Sequence, residues 1–464
     1  MVSGHINSIR SPFCYIKYII IEIGFMKLKR SMFNIFFKEK GTVFLFNTLT
    51  GAFVTLDPDY AQFYENENLW TKDEEKLDEF KRGGFIVDAA LDEYKYYYLK
   101  VLESLWRRKQ LSFTILTTSA CNFACPYCYE SQHSIKPVYM NKKTQEKVIK
   151  YIKNRIETEK PESIYISFYG GKPLLNMDAL FNIGEYVKGF AKQREINFRS
   201  EIITNGYLLT KEIAGQLKEK VNLNKVQITI DGPREIHDKF RPLKGGGKTF
   251  DVIINNIKEI LDHIDGLHIN CRTNMNKNNY TYYEELLKYI NEQVRGKVKY
   301  PRIYCYPHFI AGEKDATQPI NNELLFTPKE FGMIYGKELV PLLLKYGFLD
   351  TKSAIPEPRF YLCMAPSPTG IVIEPDGTLQ KCWDTVGMAK WAIGNIDTGV
   401  NVSKEVEWLG YEYFGDECKT CNFLPICGGS CAKKVIVDQD RACDFRKYAI
   451  KDILKAVVKI DKVK

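Results

Sequence analysis

No credible secretory signal opens this 464-residue chain, and no uninterrupted apolar run reaches the roughly 20 residues that a membrane-spanning helix needs. The closest candidate, "FCYIKYIIIEIGF", is broken by Lys17 and Glu22, which excludes an anchor. The composition of a disordered chain is missing too, because 45% of residues are hydrophobic and 27% charged, as in folded soluble proteins. No basic patch with interleaved aromatics stands out. The net charge of +9 is spread along the chain, with one local concentration in "KYAIKDILKAVVKIDKVK", so neither nucleic acid nor membrane is an expected partner. Without an export signal, thirteen cysteines do not read as a disulfide framework. Reduced, metal-holding thiols in the cytoplasm fit them better.

Rhythm along the chain divides it. Met26 opens "MKLKRSMFNIFF" like a natural start, and residues 1–31 are read as a non-native or disordered extension. Residues 32–108 carry β-rich runs, "MFNIFF", "GTVFLF" and "AFVTL", with "NTLTG" as turn chemistry, then two helical patterns. This predicts a small N-terminal α+β unit. Over residues 109–320, strands "SFTILTT", "IYISFYGG", "SEIITNG", "VQITIDG", "LHINCRTN" and "RIYCYPHF" alternate with amphipathic helices near 141–159, 177–194, 210–219, 249–263 and 280–294. Such alternation implies parallel strands with helices outside, and six units imply an α/β fold built on a partial (β/α)6 barrel. A helical linker is expected over 321–358, a cysteine-rich module over 359–446 and a basic helix over 447–464.

Five strands end in residues unlike their apolar bodies: Cys121, Gly170-Gly171, Asn205-Gly206, Asp231-Gly232 and Thr273-Asn274. In a β/α barrel these ends share one face, so the chemistry is expected there. Taken singly, Gly and Asn are ordinary βα-turn residues. In "TTSACNFACPYCYES", Cys121, Cys125 and Cys128 are spaced C-x3-C-x2-C. Three thiolates on one loop can hold three irons of a cubane whose fourth iron stays open to a chelating molecule. A closed Cys3His zinc site using His133 is the competing reading.

This loop, with Tyr127 at the aromatic position, resembles the signature of radical S-adenosylmethionine enzymes. The resemblance implies that the open iron is chelated by the amino and carboxylate groups of S-adenosylmethionine, and that one-electron cleavage yields a 5′-deoxyadenosyl radical. "FYGGKPLL" is similar to the family's Gly-Gly-Glu-Pro motif, with Gly170, Gly171 and Pro173 in register and Lys172 in place of Glu. A cation there does not favour an ammonium, so the implied contact falls to the main chain. Asn205 resembles the ribose-proximal segment, and Thr229 and Arg241 fall where relatives place a hydroxyl and a guanidinium near the methionine carboxylate. Asp231 reads as a turn-ordering residue.

After residue 360, Cys363, Cys382, Cys418, Cys421, Cys427, Cys431 and Cys443 place seven thiols in 81 residues. Read from the residues alone, they are metal ligands, of zinc or of iron–sulfur clusters. The pattern resembles the SPASM extension of peptide-acting radical enzymes. That resemblance implies three 4Fe-4S clusters in all: the S-adenosylmethionine cluster, auxiliary cluster one on Cys363, Cys382 and Cys431, and auxiliary cluster two on Cys418, Cys421, Cys427 and Cys443. Glu357 stands where sulfatase-maturing relatives have an eighth cysteine, which leaves an open iron, Glu357 or Cys305 as the completing ligand. Cys14, Cys271 and Cys305 belong to no motif, and Cys271 reads as a small core residue.

The expected function is a radical S-adenosylmethionine peptide maturase that oxidatively modifies a ribosomally made precursor and forms a Cys thioether crosslink. Its expected partners are a precursor peptide with a leader, bound through the N-terminal unit by β-augmentation, and a flavodoxin or ferredoxin donor. Formylglycine formation on a sulfatase is the alternative. A non-catalytic iron–sulfur electron-transfer protein is the alternative of another class.

Overall fold

The computed structural model describes residues 7–10, 27–128, 130, 133, 135–312 and 320–461. Cys14 and most of residues 1–26 lie outside the described residues.

In the N-terminal unit, β1 (Asn7–Arg10), β2 (Leu28–Arg30), β3 (Asn34–Glu39), β4 (Thr42–Asn47), β5 (Phe53–Leu56) and β6 (Ile86–Asp88) form two antiparallel sheets, β1-β5-β4-β3 and β2-β6. The period of two in "TVFLFN" decides which side chains go where. Phe44 and Phe46 of β4 pack on the C-terminal helix Arg446–Asp461, whereas Leu45 packs with Trp70 and Phe80 under the unit's own helices. Asn47 closes the β4–β5 turn, its side-chain oxygen accepting the N–H groups of Leu49 and Thr50. The expected boundary at residue 32 moves, because Leu28–Arg30 pairs in register with Ile86–Asp88 and Asn7–Arg10 lies against Phe53–Thr55. Three-residue strands are too short for periodicity to reveal.

The barrel strands are β7 (Gln110–Thr118), β8 (Ser163–Gly170), β9 (Asn197–Thr204), β10 (Leu223–Thr229), β11 (His268–Met275) and β12 (Ile303–Phe309), all parallel and in chain order. Helices cover them because one stripe of each is apolar. In Phe250–His263, Ile253, Ile257, Ile260 and Leu261 recur at helical spacing and are buried. Asn141 and Thr210 start two others by accepting the N–H groups of Thr144 and Ile213. Along β9, Phe198 and Ile202 join the core while Arg199 and Glu201 face the lumen.

The barrel does not close on itself. β13 (Gly370–Ile373) of the cysteine-rich module adds in parallel to the outer edge of β7, followed by antiparallel β14 (Thr378–Gln380), β15 (Gly394–Asn395) and β16 (Gly399–Val400). The expected C-terminal basic helix is packed into the core. Its Ile450, Ile453, Leu454 and Val457 are buried between the N-terminal sheet and the linker helices. No helix among the described residues is long and apolar enough to cross a membrane.

Candidate active site and auxiliary thiol clusters

The loop after β7 is fastened at both ends. Thr118 Oγ1 and Ser119 Oγ donate to the carbonyls of Val138 and Lys136, at 2.7 and 2.8 Å. Ala124 N–H donates to the Pro242 carbonyl at 2.9 Å, and Lys244 N–H to that of Asn122 at 2.9 Å. Phe123 is buried and meets Tyr207 edge to face. Between these fastenings Cys121, Cys125 and Cys128 stand half-buried at the C-terminal mouth of the barrel. Burial pushes the Cys125 thiol up, and Arg241 opposes it. A thiolate here therefore calls for a bound cation, which is the chemistry of a metal ligand.

Behind the loop lies a buried polar hub that the sequence reading saw only in pieces. The Tyr127 hydroxyl donates to Asp231 and accepts from Arg241 through short contacts. The Arg241 guanidinium lies 3.6 Å from the Asp231 carboxylate. Asn274 N–H donates to Asp231 Oδ1 at 2.9 Å, and Asn279 Nδ2 to the Asp231 carbonyl at 2.8 Å. Burial raises the Asp231 carboxyl while Arg241 and Tyr127 pull it down. Asp231 orders its turn, as expected, and in addition ties the cysteine loop to the ends of β10 and β11. Tyr127, expected as the motif aromatic and as a cofactor-binding residue, is the centre of the hub. Asn279 and His237 had no sequence signal.

Each residue expected near S-adenosylmethionine sits at this mouth, with different freedom to bind. Gly170 has φ +106°, and a Cβ on Gly171 would fall 2.3 Å from the Ala120 carbonyl oxygen. Only glycine lets this segment touch the cysteine loop. Arg241 Nε is buried without a hydrogen-bond partner, an orphaned donor that fits a carboxylate. The Thr229 hydroxyl forms no hydrogen bond with a described residue, whereas Asn205 is already engaged, donating to Asn122 at 2.9 Å and accepting from Tyr207 N–H at 3.1 Å. Lys172 is buried, its ammonium disfavoured by desolvation and favoured by Cys121.

The seven C-terminal cysteines fall into two spatial groups. Cys363, Cys382 and Cys431 perturb one another electrostatically and line one wall of a cavity of about 750 Å3. Its other wall is the lumen face of the N-terminal halves of β7, β8 and β9. Cys418, Cys427 and Cys443 are similarly coupled, Cys421 lies beside Cys418, and Lys447 donates to Cys443 Sγ at 3.7 Å. Burial pushes the thiols of Cys363 and Cys427 up to about 11, so both call for a compensating cation. Cys305 is not available to the first group. It pairs in register with Cys271 on the outer face of the barrel, in the core. Glu357 is exposed and is not part of the cavity wall. Among the described residues no three Cys, His, Asp or Glu side chains converge as tightly as a single metal ion requires. In a cubane each thiolate takes a different iron, so sets of three and four thiols such as these could each hold an iron–sulfur cluster.

Residues 115–290 match the family model of the Radical SAM superfamily. Among curated relatives, the cysteine-type anaerobic sulfatase-maturating enzyme of Clostridium novyi is 27% identical over 70% of this chain and 88% of its own. The serine-type enzyme of Bacteroides thetaiotaomicron is 25% identical over 68% and 80%. Among solved structures, anSMEcpe with bound AdoMet superposes with a TM-score of 0.55 at 20% identity, covering 76% of this chain and 100% of that one. Streptococcus suis SuiB bound to S-adenosylmethionine does so at 0.50 and 14% identity, covering 89% and 97%. Residues 115–290 therefore form a Radical SAM domain, and the chain as a whole is similar to radical SAM maturases. Its fold is shared with anSMEcpe and SuiB.

Proposed function

We propose that this chain is a radical SAM enzyme that matures a ribosomally made precursor peptide by joining a cysteine thiol to a carbon of the same peptide. When bound at the Cys121, Cys125 and Cys128 cluster, S-adenosylmethionine supplies a 5′-deoxyadenosyl radical able to abstract hydrogen from carbon. The chain's own residues do the rest. Arg241 Nε, orphaned and buried, would take the methionine carboxylate, and the Gly170-Gly171 backbone would face its amino group. The lumen below holds the peptide away from stray hydrogen donors.

The observation that carries this reading is the cavity wall of Cys363, Cys382 and Cys431, which supplies three thiols and no fourth among the described residues. Three thiolates on a cubane leave one iron for a thiolate of the substrate. The N-terminal unit supports a leader-bearing partner, because the edge of β5 already accepts an extended antiparallel segment, Asn7–Arg10. A flavodoxin or ferredoxin would deliver the electron.

The sulfatase-maturating relatives favour a second reading, oxidation of a sulfatase cysteine or serine to formylglycine. A solved anSMEcpe structure holds AdoMet and a Cp18Cys peptide, with a TM-score of 0.54 and 19% identity. Mass spectrometry separates the two. The chain is incubated anaerobically with a short cysteine-bearing peptide or with a sulfatase peptide. A peptide two hydrogens lighter per crosslink and resistant to thiol alkylation supports the thioether. An aldehyde on the sulfatase peptide, or an unchanged cysteine peptide, overturns it.

A further inference from the structure

The cavity beneath the barrel is lined by two guanidinium groups that make no ion pair among the described residues. It lies at the N-terminal ends of the strands, opposite the Cys121 loop, so it is separate from the place where the methionine carboxylate would bind. Arg108 lies flat on the Tyr361 ring at 3.9 Å, with its Nε buried and unpartnered. Arg199 projects from the lumen face of β9 and is exposed to the cavity. Among the described residues neither forms an ion pair or a hydrogen bond. The other charges on this wall are engaged. Glu201 is held by Lys225 at 2.9 Å and accepts from Ser167 at 3.0 Å. Lys381 donates to the carbonyls of Ser367 and Gly370 at 2.7 and 2.8 Å, with Glu405 3.5 Å away. Asp384 lies beside Cys382 on the wall.

A stacked guanidinium with free N–H groups is preorganised for a planar anion, and a partly enclosed cavity strengthens that attraction. The ligand must reach this depth beside the three thiols and present a carboxylate. We infer that the cavity receives an aspartate or glutamate side chain of the substrate peptide, clamped by Arg108 and Arg199 close to the cysteine to be modified. This rests on the peptide-maturase reading and narrows its substrate to peptides that carry an acidic residue near the reacting cysteine.

The test uses the full chain, reconstituted anaerobically, and two synthetic probes, acetyl-Gly-Asp-Gly-Cys-Gly-amide and acetyl-Gly-Asn-Gly-Cys-Gly-amide, whose blocked ends leave one carboxylate or none. Calorimetry should show the Asp peptide binding about tenfold more tightly than the Asn peptide, as expected for a charge-assisted pair. The preference should vanish in Arg108→Gln/Arg199→Gln, survive in Arg108→Lys/Arg199→Lys at reduced size, and survive fully in Arg107→Gln. Arg107 offers the same charge outside the cavity, paired with Glu103. Equal affinities, no binding of either probe by the wild type, or a preference that persists in the Gln double variant overturns the inference. Formation of 5′-deoxyadenosine by the same preparation without peptide is scored separately. Its presence with equal probe affinities sinks only the acidic clamp, and its absence sinks the enzymatic reading itself.

Discussion

The Tyr127 hydroxyl donates to the Asp231 carboxylate, joining the middle of the cysteine loop to the end of the fourth barrel strand across 104 positions of sequence. Asp231 is buried and Tyr127 half-buried, and Arg241 completes the triangle. A loop that must hold three thiolates at fixed separations cannot rely on its own short backbone, and this contact supplies the rigidity from behind. Removing the hydroxyl leaves a buried carboxylate and a buried guanidinium each short of a partner. Tyr127→Phe should therefore cost about 1–3 kcal/mol in denaturant unfolding of the reconstituted protein and speed loss of iron to a chelator. Unchanged unfolding and unchanged iron retention would show that the hub is dispensable.

Gly171 sets how near the second strand's exit comes to that loop. The nearest atoms to an added Cβ are the backbone oxygens of Ala120 and Ser119, at 2.3 and 2.5 Å, and backbone cannot rotate aside as a side chain can. Gly171→Ala should displace Cys121 or the Gly170-Gly171 turn. The expected outcome is at least a tenfold weaker S-adenosylmethionine affinity by calorimetry, about 1.4 kcal/mol, with the aromatic near-ultraviolet signature of the folded barrel kept. Gly189→Ala, where a Cβ meets nothing within 4 Å, is the matching control and should bind as the wild type does.

Much of this was legible because period and motif are local. The six barrel strands and their helices announce themselves by apolar alternation, and Phe250–His263 lies almost where its helical spacing puts it. The cysteines are legible as spacing alone, whereas that Cys363, Cys382 and Cys431 line one cavity is seen only in the fold. What was hidden depends on contacts between distant segments. β13 looks like any apolar tetrapeptide until it is seen to extend the β7 edge. The C-terminal segment read as a basic helix, but what its apolar face of Ile450, Ile453 and Leu454 packs against was not legible. Asp231 looked like a turn residue because nothing in its neighbourhood names Tyr127 as its partner.

A buried histidine, His237, and a half-buried one, His308, make stability depend on pH. His308 is lowered to about 4 by burial, helped by Arg272, and burial holds His237 well below its ordinary range. His237 Nδ1 accepts the Asp231 N–H at 3.2 Å, so its proton sits on Nε2. Both rings are neutral when folded and titrate near 6.5 when unfolded. Above that value they impose no pH dependence. As pH falls below it, the unfolded chain takes up protons that the folded chain refuses, and stability declines until the folded values are reached. Unfolding free energy should therefore fall between about pH 6.5 and 4, by up to roughly 1.4 kcal/mol per pH unit for each histidine. His308→Gln should flatten the slope by about one proton, and an unaltered slope would remove His308 from the account.

The division of the C-terminal thiols into a group of three and a group of four makes an additivity prediction that composition alone cannot. If Cys382 and Cys431 serve one cubane, removing either loses the same irons, and removing both loses no more. If Cys443 serves another, its loss adds to theirs. Cys382→Ala and Cys431→Ala should each lower iron by about four per chain, and their double variant also by about four. Cys382→Ala/Cys443→Ala should lose about eight. The mutual influence of Cys427, Cys443 and Cys418 predicts that Cys427→Ala and Cys443→Ala are likewise non-additive. All of these variants should still form 5′-deoxyadenosine without peptide, because the Cys121 loop stands on the opposite end of the barrel. Cys125→Ala should abolish that product while leaving about eight irons in place. Equal losses from Cys382→Ala/Cys431→Ala and Cys382→Ala/Cys443→Ala would mean that the two groups share one site, and the three-thiol wall of the cavity would no longer offer an iron to the substrate.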